Sequence, residues 1–125
     1  NQGFNTPNNN KSNNGIKISP ENPNVNTASF ASSDIRNEAR RLQSGGQYKQ
    51  AISQYMKALD GAGDDAASIH QNIAICYQRI EDNGSAIEHY NAAIKSYKDM
   101  IAAGKNVDAA NRGIRSCENG IAVCK

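Results

Sequence analysis

Two stretches of this chain repeat one pattern at a fixed offset, and that offset constrains the fold more than any other feature. Gly46-Gln47-Tyr48-Lys49-Gln50-Ala51-Ile52-Ser53-Gln54-Tyr55-Met56-Lys57-Ala58-Leu59 is echoed by Gly84-Ser85-Ala86-Ile87-Glu88-His89-Tyr90-Asn91-Ala92-Ala93-Ile94. Ala51, Tyr55 and Ala58 fall into register with Ala86, Tyr90 and Ala93, 35 residues on. That is close to the roughly 34-residue period of helix-turn-helix repeats. Units of this kind stack side by side, because each leaves an apolar face that only its neighbour can cover.

The spacing of apolar residues predicts five helices. The first begins at Ser32-Ser33-Asp34, good N-cap residues, carries Ile35, Ala39 and Leu42, and stops at Gly45-Gly46. The second runs from Tyr48 to Leu59; Gly61-Ala62-Gly63 ends it and Asp64-Asp65 caps the third. The third places Ala66, Ile69, Ile73, Cys76, Tyr77 and Ile80 on one stripe, the three-and-four spacing of an amphipathic helix. After a turn at Glu81-Asp82-Asn83-Gly84, the fourth carries Ala86, Ile87, Tyr90, Ala93, Ile94, Tyr97 and Ile101. The fifth carries Val107, Ala110, Ile114, Cys117, Ile121 and Cys124, and Asn119-Gly120 should weaken it locally. No segment after residue 31 alternates like a strand, so the fold class is all-α.

Residues 1–31 differ in kind. Ten asparagines lie in the first 26 positions, and such a composition cannot bury enough apolar surface to form a core. The chain therefore divides into an Asn-rich extended arm, 1–31, and a helical domain, 32–125. Within the arm, Gly15-Ile16-Lys17-Ile18-Ser19 alternates like a short strand. Phe4, Ile16, Ile18 and Val25 are its apolar anchors.

At this point the chain resembles the tetratricopeptide repeat family. Asn72-Ile73-Ala74-Ile75-Cys76-Tyr77 matches the first-helix signature of that family. Ala86, Tyr90 and Ala93, like Ala51, Tyr55 and Ala58, match the second-helix positions. The resemblance covers residues 32 to about 101 and implies two and a half repeats in an antiparallel helix-pair solenoid, with the fifth helix as a half-repeat or cap. The chain departs from the pattern in having no Trp and no Pro closing either repeat. The resemblance also implies a concave groove lined by first helices, where Arg36, Arg40, Asn72 and Asn111 would contact an extended peptide. Some members grip a terminal carboxylate there, a task guanidinium groups suit. Val107 and Asn111 stand where that clamp needs two further basic residues.

These features imply protein–protein contact, with two versions. In the first, the chain is a structural subunit assembling head-to-tail into a fibril through its arm. In the second, it is a monomeric adaptor holding a foreign peptide in its groove. Catalysis has no foundation: there is no G-x-S-x-G, no phosphate-cradling loop and no H-E-x-x-H. His70 and His89 show no ligand spacing, so neither a metal nor a cofactor is expected. A net charge of +2 gives no footprint for nucleic acid, and no apolar run is long enough to insert in a membrane.

Cys117 and Cys124 lie about 10.5 Å apart in helical rise, beyond the ~7 Å limit for a disulfide. Three buried thiols are expected, the alternative being a disulfide from Cys76 to Cys117 or Cys124. Asn10-Lys11-Ser12 and Asn83-Gly84-Ser85 are glycosylation triplets, Asn83 in an exposed turn. The chain has neither an initiator Met nor a signal-like stretch, so it is expected to begin either after a processing event, of which secretion is the commonest cause, or at an arbitrary cut. The expected location is extracellular or at the cell surface for the fibril, cytoplasmic for the adaptor.

Overall fold

The computed structural model describes residues 27–125, with side chains from Ser33 onward. Five α-helices account for most of them: α1 (Thr27–Ser44), α2 (Tyr48–Ala58), α3 (Ala66–Arg79), α4 (Asn83–Ala102) and α5 (Val107–Cys124). A 3-10 turn, Gly63–Asp65, precedes α3. Among the described residues there is no strand. Residues Ala31–Lys125 form one compact unit. The arm anchors Phe4, Ile16, Ile18 and Val25, and the triplet at Asn10, lie outside the described residues.

Two helix starts differ from the sequence reading. The first helix begins at Thr27, upstream of the Ser32-Ser33-Asp34 cap. The fourth begins at Asn83, because Asp82 rather than a later residue is its cap: the Asp82 carboxylate accepts from the Ser85 backbone N–H at 3.2 Å and from its hydroxyl at 2.9 Å. Asn83 is therefore an exposed first-turn helical residue and not part of a turn. Asp65 does stand at the N-cap position of α3, but its side chain makes no capping bond.

Three helices end alike. After α1, Gln47 N–H reaches Leu42 C=O and Gly46 N–H reaches Gln43 C=O, with Gly46 at φ +82°. After α3, Asp82 and Glu81 make the equivalent bonds to Tyr77 and Gln78. After α4, Lys105 and Gly104 bond to Met100 and Ile101. These are Schellman closures, which need one left-handed residue. Glu81, 35 residues after Gly46, takes that conformation at φ +65° without being glycine.

The core has two clusters with α3 between them. On one side Ile69, Ile73 and Cys76 of α3 meet Ala39 of α1 and Ala51, Ile52, Tyr55 and Ala58 of α2. On the other, Ala67 and Ala74 of α3 meet Ala86, Tyr90, Ala93 and Tyr97 of α4 and Ala110, Cys117 and Cys124 of α5. An α3 apolar on two sides is what a stacked repeat requires, since its central helix has a neighbour on each flank.

The Cys76 disulfide is not formed. Cys76 lies in the first cluster and Cys117 and Cys124 in the second, and all three are free and buried. Burial pushes the Cys76 and Cys117 thiols up to about 11.

The glycines of α5 do not interrupt it. Tyr97 and Tyr90 of α4 lie flat on the α5 backbone at Gly113 and Gly120. A Cβ at Gly113 would sit 2.4 Å from Tyr97 Cζ, and one at Gly120 would sit 2.3 Å from Tyr90 Cζ. The two glycines and the two tyrosines share a seven-residue spacing, two turns of helix. The tyrosines cannot swing aside: both rings are buried, and their hydroxyls are tied, Tyr90 to Gln78 Oε1 at 2.7 Å and Tyr97 to Gln71 Oε1 at 2.6 Å.

Two predictions follow from this packing. Gly113→Ala and Gly120→Ala each gain helix propensity of about 1 kcal/mol but overpack a buried ring, which typically costs about 1–3 kcal/mol. Chemical denaturation should show both destabilised. Gly84→Ala, where a Cβ meets nothing within 4 Å, should be neutral or stabilising. Second, burial raises Tyr55 and Tyr90 to about 12 and the two thiols to about 11. The unfolded chain, with ordinary thiol and phenol values, ionises first as pH rises. Stability is thus intact below pH 9 and falls progressively between pH 9 and 12, read as a declining urea midpoint.

Candidate protein-interaction site

The site expected from sequence lies on the first helix of each pair, α1, α3 and α5. Its four residues behave differently. Arg36 is committed to the fold: its Nη1 contacts Asp65 Oδ2 at 2.9 Å, joining α1 to the start of α3. Its side chain is 24% exposed, and its Nε is buried without a hydrogen-bond partner. The Asp65 carboxylate also sits where the α3 dipole favours negative charge. Arg36 is therefore a structural tie and not a free peptide contact.

Arg40, one turn further along α1, is exposed and donates from Nη1 to Asn37 Oδ1 at 3.3 Å. Asn72 is half-buried, and its Nδ2 donates back to the Ser68 carbonyl at 3.1 Å. That leaves its side-chain oxygen as the acceptor it offers to a partner. Asn111 is exposed on α5. Val107, at the start of the same helix, is 37% exposed. The structure thus leaves Arg40 and Asn111 open to a partner, holds Asn72 half-open and removes Arg36.

The sequence reading missed Gln71. Its Nε2 donates to Ser116 Oγ of α5 at 3.0 Å, and its Oε1 accepts from Tyr97 of α4. One amide thus knots three helices beside Asn72. It also missed the paired bonds of Tyr55 to Gln43 and Tyr90 to Gln78, both 2.7 Å. The signal was present: Gln43 and Gln78 share the 35-residue offset and precede their tyrosines by 12 positions.

It likewise missed a meeting of histidines. His70 on α3 and His89 on α4 face each other with Nδ1 atoms 3.1 Å apart and ring centroids 5.2 Å apart. Tyr77 stacks on His89 at 5.6 Å. Burial lowers both imidazoles below the usual range; His89 adds to the lowering of His70, and Glu88 opposes it at His89. A ring that carries its proton at Nδ1 can donate it to the other ring's Nδ1 across this distance. Among the described residues no group of three or more His, Cys, Asp or Glu converges, and no helix is long and apolar enough to cross a membrane.

Paired antiparallel helices with small residues at the crossings, tyrosines in the gaps and one repeat period throughout define an α-helical repeat protein. A family model for the tetratricopeptide repeat matches residues 35–99, more than half of the chain, and the chain belongs to that family. It is accordingly a protein-interaction module. No curated protein and no solved structure matches the chain.

The two arginines should separate in one experiment. Arg36→Gln breaks a half-buried tie, and its expected cost is about 1 kcal/mol, reduced at high salt because Asp65 is largely exposed. Arg40→Gln should leave the denaturation midpoint unchanged within about 0.5 kcal/mol.

Proposed function

We propose that the chain is a non-enzymatic structural subunit that assembles head-to-tail into a fibril, with the residues before α1, 1–26, as the connector. The observation that carries this reading is an interaction scaffold preceded by an Asn-rich segment whose apolar residues, Ile16 and Ile18, are spaced like a strand. The 26 residues before α1 reach up to ~90 Å if extended, enough to cross a neighbouring subunit. Docking of an extended segment is a recurrent recognition mode. A contact made by one surface on a different surface of the next copy does not close, and it propagates a filament. Val123 near the end of α5, 72% exposed, adds one apolar side chain available to a subunit contact. The glycosylation triplets at Asn10 and Asn83 support placement outside the cell or at its surface.

A second reading is favoured by the open Arg40 and Asn111. In it the chain is a monomeric adaptor, cytoplasmic, holding an extended peptide of another protein along the first helices.

Negative-stain microscopy of the full chain and of a chain lacking residues 1–26 distinguishes the two. The deletion stops short of α1 and leaves every described helix whole. The fibril reading expects filaments that disappear on deletion. Filaments that survive it overturn the arm as connector. Monomers in both samples, together with peptide binding weakened by Arg40→Gln, establish the adaptor.

A further inference from the structure

The packed interface between α3 and α4 contains one pair of side chains whose chemistry exceeds what packing needs. His70 and His89 present Nδ1 to Nδ1 at 3.1 Å. We propose that they form a two-histidine chelate for a late first-row divalent ion of the copper, nickel and zinc class, bound through both Nδ1 atoms.

The geometry carries this. Imidazole nitrogens bind such ions at about 2.0–2.1 Å. Two nitrogens 3.1 Å apart at that radius subtend about 100° at the ion. That angle lies between the octahedral and tetrahedral values, so the ion enters after the rings tilt, with the helices unmoved. Both residues are half-buried and in reach of solvent, and water completes the coordination. Tyr77 stacks on His89, so the larger part of the tilt falls to His70.

Binding rearranges one proton. In the hydrogen-bonded form of the empty pair, one ring would carry Nδ1–H and donate it to the other across 3.1 Å. With the ion bound, both Nδ1 lone pairs point at the metal. The donor ring therefore loses its Nδ1 proton and gains one at Nε2, with no net release from the neutral pair. Affinity follows copper above nickel and zinc. Calcium, which takes oxygen ligands, does not bind.

The ligands are 19 residues apart in sequence and converge only in the folded chain. An ion bound to that state alone raises Tm by mass action. At a hundredfold excess over Kd the rise is on the order of 10 °C for a domain of this size.

Titration calorimetry with Cu²⁺, Ni²⁺, Zn²⁺ and Ca²⁺ tests the site in the full chain, in His70→Gln and in His89→Gln. One Cu²⁺, Ni²⁺ or Zn²⁺ per chain, copper bound most tightly, no binding of Ca²⁺, and at least a tenfold loss in each variant is the expected result. Equal binding by the variants puts the ion elsewhere and overturns the proposal, as does an absence of binding to the parent at millimolar ion. A second readout needs no variant: ring ¹⁵N spectra of the parent with Zn²⁺ should show both histidines as the Nε2–H form. Unchanged ring spectra with saturating zinc overturn it equally.

Discussion

The structure depends on how a tyrosine is held at each helix crossing. A phenol ring fills the gap that alanines leave between helices, and its hydroxyl, buried with it, requires a partner. For the three buried tyrosines the chain supplies a glutamine. Tyr55 reaches back to Gln43 in the first repeat and Tyr90 to Gln78 in the second, while Tyr97 takes Gln71. Each bond ties a second helix to a first helix and fixes the rotation of both. The position of α3 between the two core clusters follows from these ties.

Much of the fold could be read from the repeat itself. Ala51, Tyr55 and Ala58 and their partners 35 residues on are all buried, as a close-approach role demands. Stop signals at Gly46 and Gly104 were visible for the same reason that they work: only glycine takes a left-handed position without strain. Glu81 occupies the equivalent position invisibly, because nothing in its side chain announces the backbone it adopts. The start of α1 was misplaced because a good cap motif at Ser32-Ser33-Asp34 has no force where the chain upstream is already helical. Gly120 reads from sequence as a local weakness, since propensity is a property of the isolated helix and the tyrosine ring that needs the space lies on another one.

The site was less legible than the fold. Sequence placed Arg36 and Arg40 on the same wall, four residues apart, and gave no means of telling them apart. Asp65, in the cap of a helix that starts 30 positions after Arg36, decides the matter by claiming one of them. The histidines posed the same difficulty: 19 residues separate them, and only the turn between α3 and α4 makes them neighbours. Chemistry assembled across a helix pair leaves no short motif to find.

The glycine stripe on α5 bears on where the stability of that helix comes from. Two interior glycines weaken a helix by about 2 kcal/mol relative to alanine, and an isolated helix of this length is marginal in water at best. On its own the segment Val107–Cys124 is a coil. Its helical form is stabilised by the surface that Tyr90 and Tyr97 offer, so the stability of α5 is borrowed from α4 rather than carried by its own sequence.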